Sequence, residues 1–92
     1  MSEAWVGQRL DCADGQAGKV ASVIGEGPEW LVVRLARLGG TTAVPAADAV
    51  QGAGAVWVPY PRELIRKAPR IESQDELDEA AERGLREHYG VG

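Results

Sequence analysis

Trp30-Leu31-Val32-Val33-Arg34-Leu35 decides how the rest of the chain is read. Successive side chains of an extended strand point to opposite faces, so Leu31, Val33 and Leu35 share one face and Trp30, Val32 and Arg34 the other. Both faces are partly apolar. Such a strand is expected to be covered on each side, as when a barrel wall also meets a helix or a second subunit.

Short β segments with glycine punctuation extend on both sides of this run. Upstream, Val6–Asp11 reads as a strand, Ala13-Asp14-Gly15-Gln16 as a tight turn, and Gly18–Ile24 as the second arm of a hairpin. Gly25-Glu26-Gly27-Pro28 breaks the chain before Trp30. Downstream, Gly39-Gly40 marks a turn and Thr41–Val44 a short strand that Pro45 ends, since proline offers no ladder donor. Ala49–Gln51 and Ala55–Val58 bring the set to about six strands.

Helical signals come later. Pro61 suits a first helical turn, where its missing N–H costs nothing, so Pro61–Lys67 reads as a short helix stopped by Pro69. Ser73-Gln74-Asp75-Glu76 has the form of a capping box. Beyond it Leu77, Ala80, Ala81, Gly84, Leu85, His88 and Tyr89 recur at helical spacing. Glu79 with Arg83 and Glu82 with Arg86 make well-oriented pairs, and Gly90 supplies the stop.

At 92 residues, with 45% hydrophobic and 26% charged residues, the chain has the balance of one ordinary globular domain with one modest core. A core of that size stabilises by only about 3 to 5 kcal/mol, so self-association is an early expectation. The single cysteine, Cys12, has no second thiol and no clustered histidine, which fits a reducing cytoplasm. No targeting signal is read at Met1–Ala4, and no run is long enough to insert in a membrane. Arginine outnumbers lysine eight to two and asparagine is absent, a bias that GC-rich bacterial coding produces.

The net charge of -4 is unevenly placed. Residues 1–72 hold eight acids and eight bases, whereas residues 73–92 hold six acids and two bases. The nearest feature to a phosphate-binding stripe is Arg62, Arg66, Lys67 and Arg70, with Glu63 among them. These four are the candidate RNA contact of an alternative reading, which the acidic balance opposes.

Catalytic chemistry needs groups that meet, and the inventory is thin. His88 falls in the last helical turn, where favourable interaction with the helix C-terminus or packing against Leu85 accounts for it without chemistry. Cys12 shows no neighbouring base. Asp11, Asp14 and Gly15 lack the alternating ligands of a calcium loop, and Gly25-Glu26-Gly27 lacks the third glycine of a dinucleotide fingerprint. The expectation is a non-enzyme with no catalytic, metal or cofactor-binding residue.

Trp5, Trp30 and Trp57 are three of the five aromatic residues, and phenylalanine is absent. One reading places them in the core of a chain that lacks phenylalanine. The other places Trp30 and Trp57 outside a barrel lined by smaller aliphatics, where Trp30, Val32 and Trp57 form a candidate self-association surface.

Asp14-Gly15-Gln16-Ala17-Gly18-Lys19-Val20, then Trp30–Arg34, then Val44-Pro45, then Val58–Pro69 together resemble the PRC-barrel family. That β-barrel occurs in the cytoplasmic part of the photosynthetic reaction centre H subunit and in the ribosome maturation factor family. Glu82–Gly90 resembles the extension of stand-alone bacterial members. Ala17 stands where a larger aliphatic is often seen. The resemblance implies a mainly β fold: a small, strongly bent antiparallel PRC-type barrel over residues 4–70, with a C-terminal helical extension over 71–92 packing on it. It further implies an assembly or adaptor module without a shared active site. The expected partners are a second copy and an unidentified protein, not nucleic acid.

Overall fold

The computed structural model describes residues 5–25, 29–35, 40–71 and 77–90. Six strands, β1 (Arg9–Cys12), β2 (Gly15–Ile24), β3 (Trp30–Leu35), β4 (Thr41–Pro45), β5 (Val50–Gln51) and β6 (Ala55–Trp57), join in one sheet. Two helices follow, α1 (Arg62–Arg66) and α2 (Glu79–Tyr89).

The strand order is β4-β3-β2-β1-β6-β5. β1 to β4 form an antiparallel meander, and β5 pairs with β6 in a second antiparallel hairpin. Between the two, β1 and β6 run parallel, with Leu10 opposite Val56. The chain was expected to be antiparallel throughout and closed. It is a mixed sheet, and among the described residues β4 and β5 are its unpaired ends rather than neighbours in a barrel. Alternation of apolar residues reports which face a side chain takes, not which strand lies beside it, so the parallel pairing leaves no mark in the pattern.

Gly18 explains how β2 comes so close to β3. A Cβ built there would lie 2.2 Å from the Arg34 carbonyl oxygen, a separation that real Cβ atoms do not reach, so only glycine fits. Bulges interrupt the register between Leu10 and Asp11 and between Val20 and Ser22. Such insertions bend a strand and increase its twist, which is how ten residues of β2 pair with strands on both sides.

The interior is built from Leu10, Val20, Leu31, Val33, Val44 and Val56 of the sheet, Val58 just after β6 and Ile65 of α1, together with Leu85 of α2. Each such aliphatic contributes roughly 1.5 to 3 kcal/mol when withdrawn from water. α2 packs against β4 and puts Leu85 and Tyr89 into the same apolar cluster as Trp30. β4 is also covered along its outer edge: Ile71 N–H donates to the Thr41 carbonyl at 2.8 Å, and Thr42 Oγ1 donates to the Pro69 carbonyl at 2.7 Å.

The expected capping box at Ser73–Glu76 lies outside the described residues. Within them, α2 starts at Glu79 with Asp78 as its N-cap, the carboxylate accepting from Ala81 N–H at 2.7 Å. Gly90 ends the helix in the left-handed region at φ 72°, as a glycine C-cap does. The Glu79–Arg83 and Glu82–Arg86 pairs form as expected, at 3.8 and 3.4 Å. Leu85 and Tyr89 face inward, while Ala80, expected on that face, is exposed. Among the described residues no helix is long and apolar enough to cross a membrane.

Candidate functional site

The β5–β6 hairpin carries the most exposed large apolar side chains of the described sheet. Alternation turns Val56 inward, where it is fully buried, and Trp57 outward, where it is 43% exposed. The hairpin register sets Val50, 57% exposed, directly opposite Trp57. Opposed strand residues have Cβ atoms only about 4.5 to 5.5 Å apart, so the pair forms one continuous apolar spot at the open end of the sheet.

On its other side Trp57 is opposite Asp11 of β1. The Asp11 carboxylate accepts from the Arg9 guanidinium through Nε at 2.8 Å and Nη2 at 3.1 Å. The indole thus lies between an aliphatic edge residue and a charge-paired strand.

The other two members of the proposed self-association surface are elsewhere. Trp30 is 3% exposed and Val32 is fully buried, both on β3, which β2 and β1 separate from β6. Trp30 and Trp57 do not meet. Alternation gives Trp30 the face opposite Leu31, yet Trp30 is buried in the same apolar cluster as Leu31, Leu85 and Tyr89. Val50 is the residue that the sequence reading missed. Its alternation was visible, whereas its position opposite Trp57 follows from the hairpin closing through Ala53 and Gly54.

The basic cluster is assembled, but much of it is engaged. Arg62 and Arg66 are on α1 and Lys67 is its C-cap, with Arg70 a turn later. Lys67 pairs with Glu63 at 3.4 Å, and Arg70 folds back onto the carbonyls of Ala68 and Arg66 at 2.8 and 2.9 Å. All four are exposed, yet only part of their hydrogen-bonding capacity is turned outward.

The two residues with the most chemical potential are both engaged in hydrogen bonds. His88 Nε2 donates to the Leu64 carbonyl at 2.6 Å, tying α2 to α1, and its ring stands edge-on to Tyr89. Cys12 is buried; its thiol donates to the Gly15 carbonyl at 3.1 Å and to Asp14 Oδ1 at 3.4 Å. Burial pushes this thiol up, away from the nucleophilic thiolate. Asp14 Oδ1 also accepts the Arg62 amide at 2.7 Å, satisfying the first N–H of α1 from a distant turn. That hydrogen bond, then the one from Cys12, holds the Asp14 carboxyl below its ordinary value.

Tyr60 and Tyr89 pack with ring centroids 5.0 Å apart, and burial raises both phenols. The Tyr89 hydroxyl is enclosed without a hydrogen-bond partner among the described residues. No three His, Cys, Asp or Glu side chains stand together as metal ligands among those residues. Comparison with known protein families found no matching family. A search of curated proteins likewise found no match.

Proposed function

We propose that this chain is a non-enzymatic assembly or adaptor module of PRC-barrel type that works in the cytoplasm by associating with itself and with a protein partner. The observation that carries this reading is the Val50–Trp57 pair, left in water on the outer face of a sheet whose remaining large aliphatics are almost all withdrawn. Exposed tryptophan is a costly surface residue and a frequent anchor of interfaces. The engagement of His88 in a tertiary hydrogen bond and of the buried Cys12 thiol in hydrogen bonds within its own turn supports the non-enzymatic part. The mainly β architecture with its C-terminal helix supports the fold part in outline.

Light scattering on a size-exclusion column tests the reading. The expected result is a dimer or larger species at about micromolar concentration, an affinity ordinary interfaces reach. Trp57→Ser with Val50→Ser is expected to yield a monomer whose circular dichroism is unchanged. A wild-type monomer at all accessible concentrations would reject self-association. A dimer indifferent to both substitutions would move the contact elsewhere.

A further inference from the structure

The strand registers bring together three cations that are far apart in sequence. Arg9 on β1 is opposite Lys19 on β2, and Lys19 is opposite Arg34 on β3. All three are exposed, so they form a row across three neighbouring strands on one outward face. Adjacent strands are only about 4.8 Å apart, and like charges directly opposed on a sheet destabilise it. Arg9 is answered by Asp11. Lys19 and Arg34 make no ion pair among the described residues. The row shares its face with Trp57, since Asp11, two residues from Arg9, is the partner of Trp57.

A ridge of opposite sign lies on α2. Glu79, Arg83 and Glu87 follow one another at four-residue spacing, all exposed, with Asp78 at the N-cap. Arg83 answers Glu79, while Glu87 makes no ion pair among the described residues. Leu85 and Tyr89 anchor the other side of the helix in the core, so the acidic ridge is turned away from its own sheet. The excess negative charge of the whole chain resides in residues 73–92.

We propose that the cation row of the sheet and the acidic ridge of α2 are the two halves of one self-complementary interface, each sheet receiving the helix of a second copy. The inference rests on the self-association reading and gives it a charged surface beside the apolar one. A second copy carries both halves, so its helix can answer this sheet and its sheet this helix. The charge supports a second copy over nucleic acid as the occupant. A polyanion would meet a short row with one member already neutralised, on a molecule of net charge -4, whereas a second copy brings the compensating acids.

Two charge-reversed proteins test this, one carrying Lys19→Glu with Arg34→Glu and the other Glu79→Lys with Glu87→Lys. Each alone is expected to dissociate at least about tenfold more readily than wild type by analytical ultracentrifugation. An equimolar mixture is expected to recover wild-type affinity, because a reversed sheet then faces a reversed helix while the other pairing stays native. Circular dichroism checks folding, and Glu87→Lys alone replaces the helix double variant if the latter fails to fold. A wild-type dimer that neither reversal weakens and mixing does not affect would reject this surface and leave self-association standing. A wild type that stays monomeric at about 100 μM would remove both proposals. Fluorescently labelled oligouridine bound by monomeric wild type and lost with Lys19→Glu and Arg34→Glu would assign the row to nucleic acid and overturn the inference.

Discussion

Gly18 and Asp14 belong to one short segment and hold the fold by different means. At Gly18 the constraint is steric, because an added methyl group meets a backbone carbonyl that belongs to the β2–β3 ladder and cannot move without breaking it. Gly18→Ala is therefore expected to destabilise by about 3 kcal/mol, the upper range of overpacking changes, and to lower the denaturant midpoint at constant slope. At Asp14 the constraint is electrostatic. Its folded carboxyl is lowered from 3.8 by the Arg62 amide and then by the Cys12 thiol. Its contribution is therefore present above the ordinary carboxylate value and is lost as pH falls through the depressed folded one. Asp14→Asn keeps an oxygen for the Arg62 amide but cannot titrate. Thermal melts below about pH 4 are expected to fall less steeply in that variant than in wild type. Equal slopes would show that Asp14 does not contribute to the acid limb.

At the scale of elements, the span of β3 was legible because Trp30–Leu35 is a run of aromatic, aliphatic and β-branched residues interrupted only by Arg34. The start of β1 was not. Gly7 takes φ 88° and its N–H bonds to the Val20 carbonyl, so the strand begins at Arg9 rather than Val6. α2 was legible as a helix from its ion pairs and Gly90, but its depth in the core was not. The apolar stripe says that Leu85 and Tyr89 are covered, and only the tertiary structure places them in one cluster with Trp30. The same ambiguity made Trp30 and Val32 candidates for an interface. The helix is thus a structural member rather than an appendage. Deleting residues 77–92 is expected to abolish cooperative unfolding and most of the strand signal in circular dichroism, since burial of Leu85 alone is worth about 2 to 5 kcal/mol against truncation to alanine. A truncated chain that keeps its β spectrum and a sharp melt would refute that role.

At the scale of the whole molecule, self-association should couple to stability by mass action, because a dimer holds only folded chains. The melting temperature is expected to rise by several degrees between about 1 and 100 μM, and that rise should vanish in the Trp57→Ser, Val50→Ser protein. A melting temperature independent of concentration would count against any tight assembly. The parallel contact between β1 and β6 has a separate consequence in time. Arg9 and Ala55 are half the chain length apart, whereas β1 to β4 join through short connections. The meander can form from local contacts, but β6 must wait for a long loop to close, which is entropically costly and slow. Until it docks, the β1 edge is open along Arg9–Asp11, and Val58 has yet to donate to the Asp11 carbonyl. During synthesis, therefore, a nascent chain that has emerged only as far as Pro45 presents an unpaired strand edge. That interval, rather than the finished protein, is when β1 is most open to pairing with the wrong neighbour.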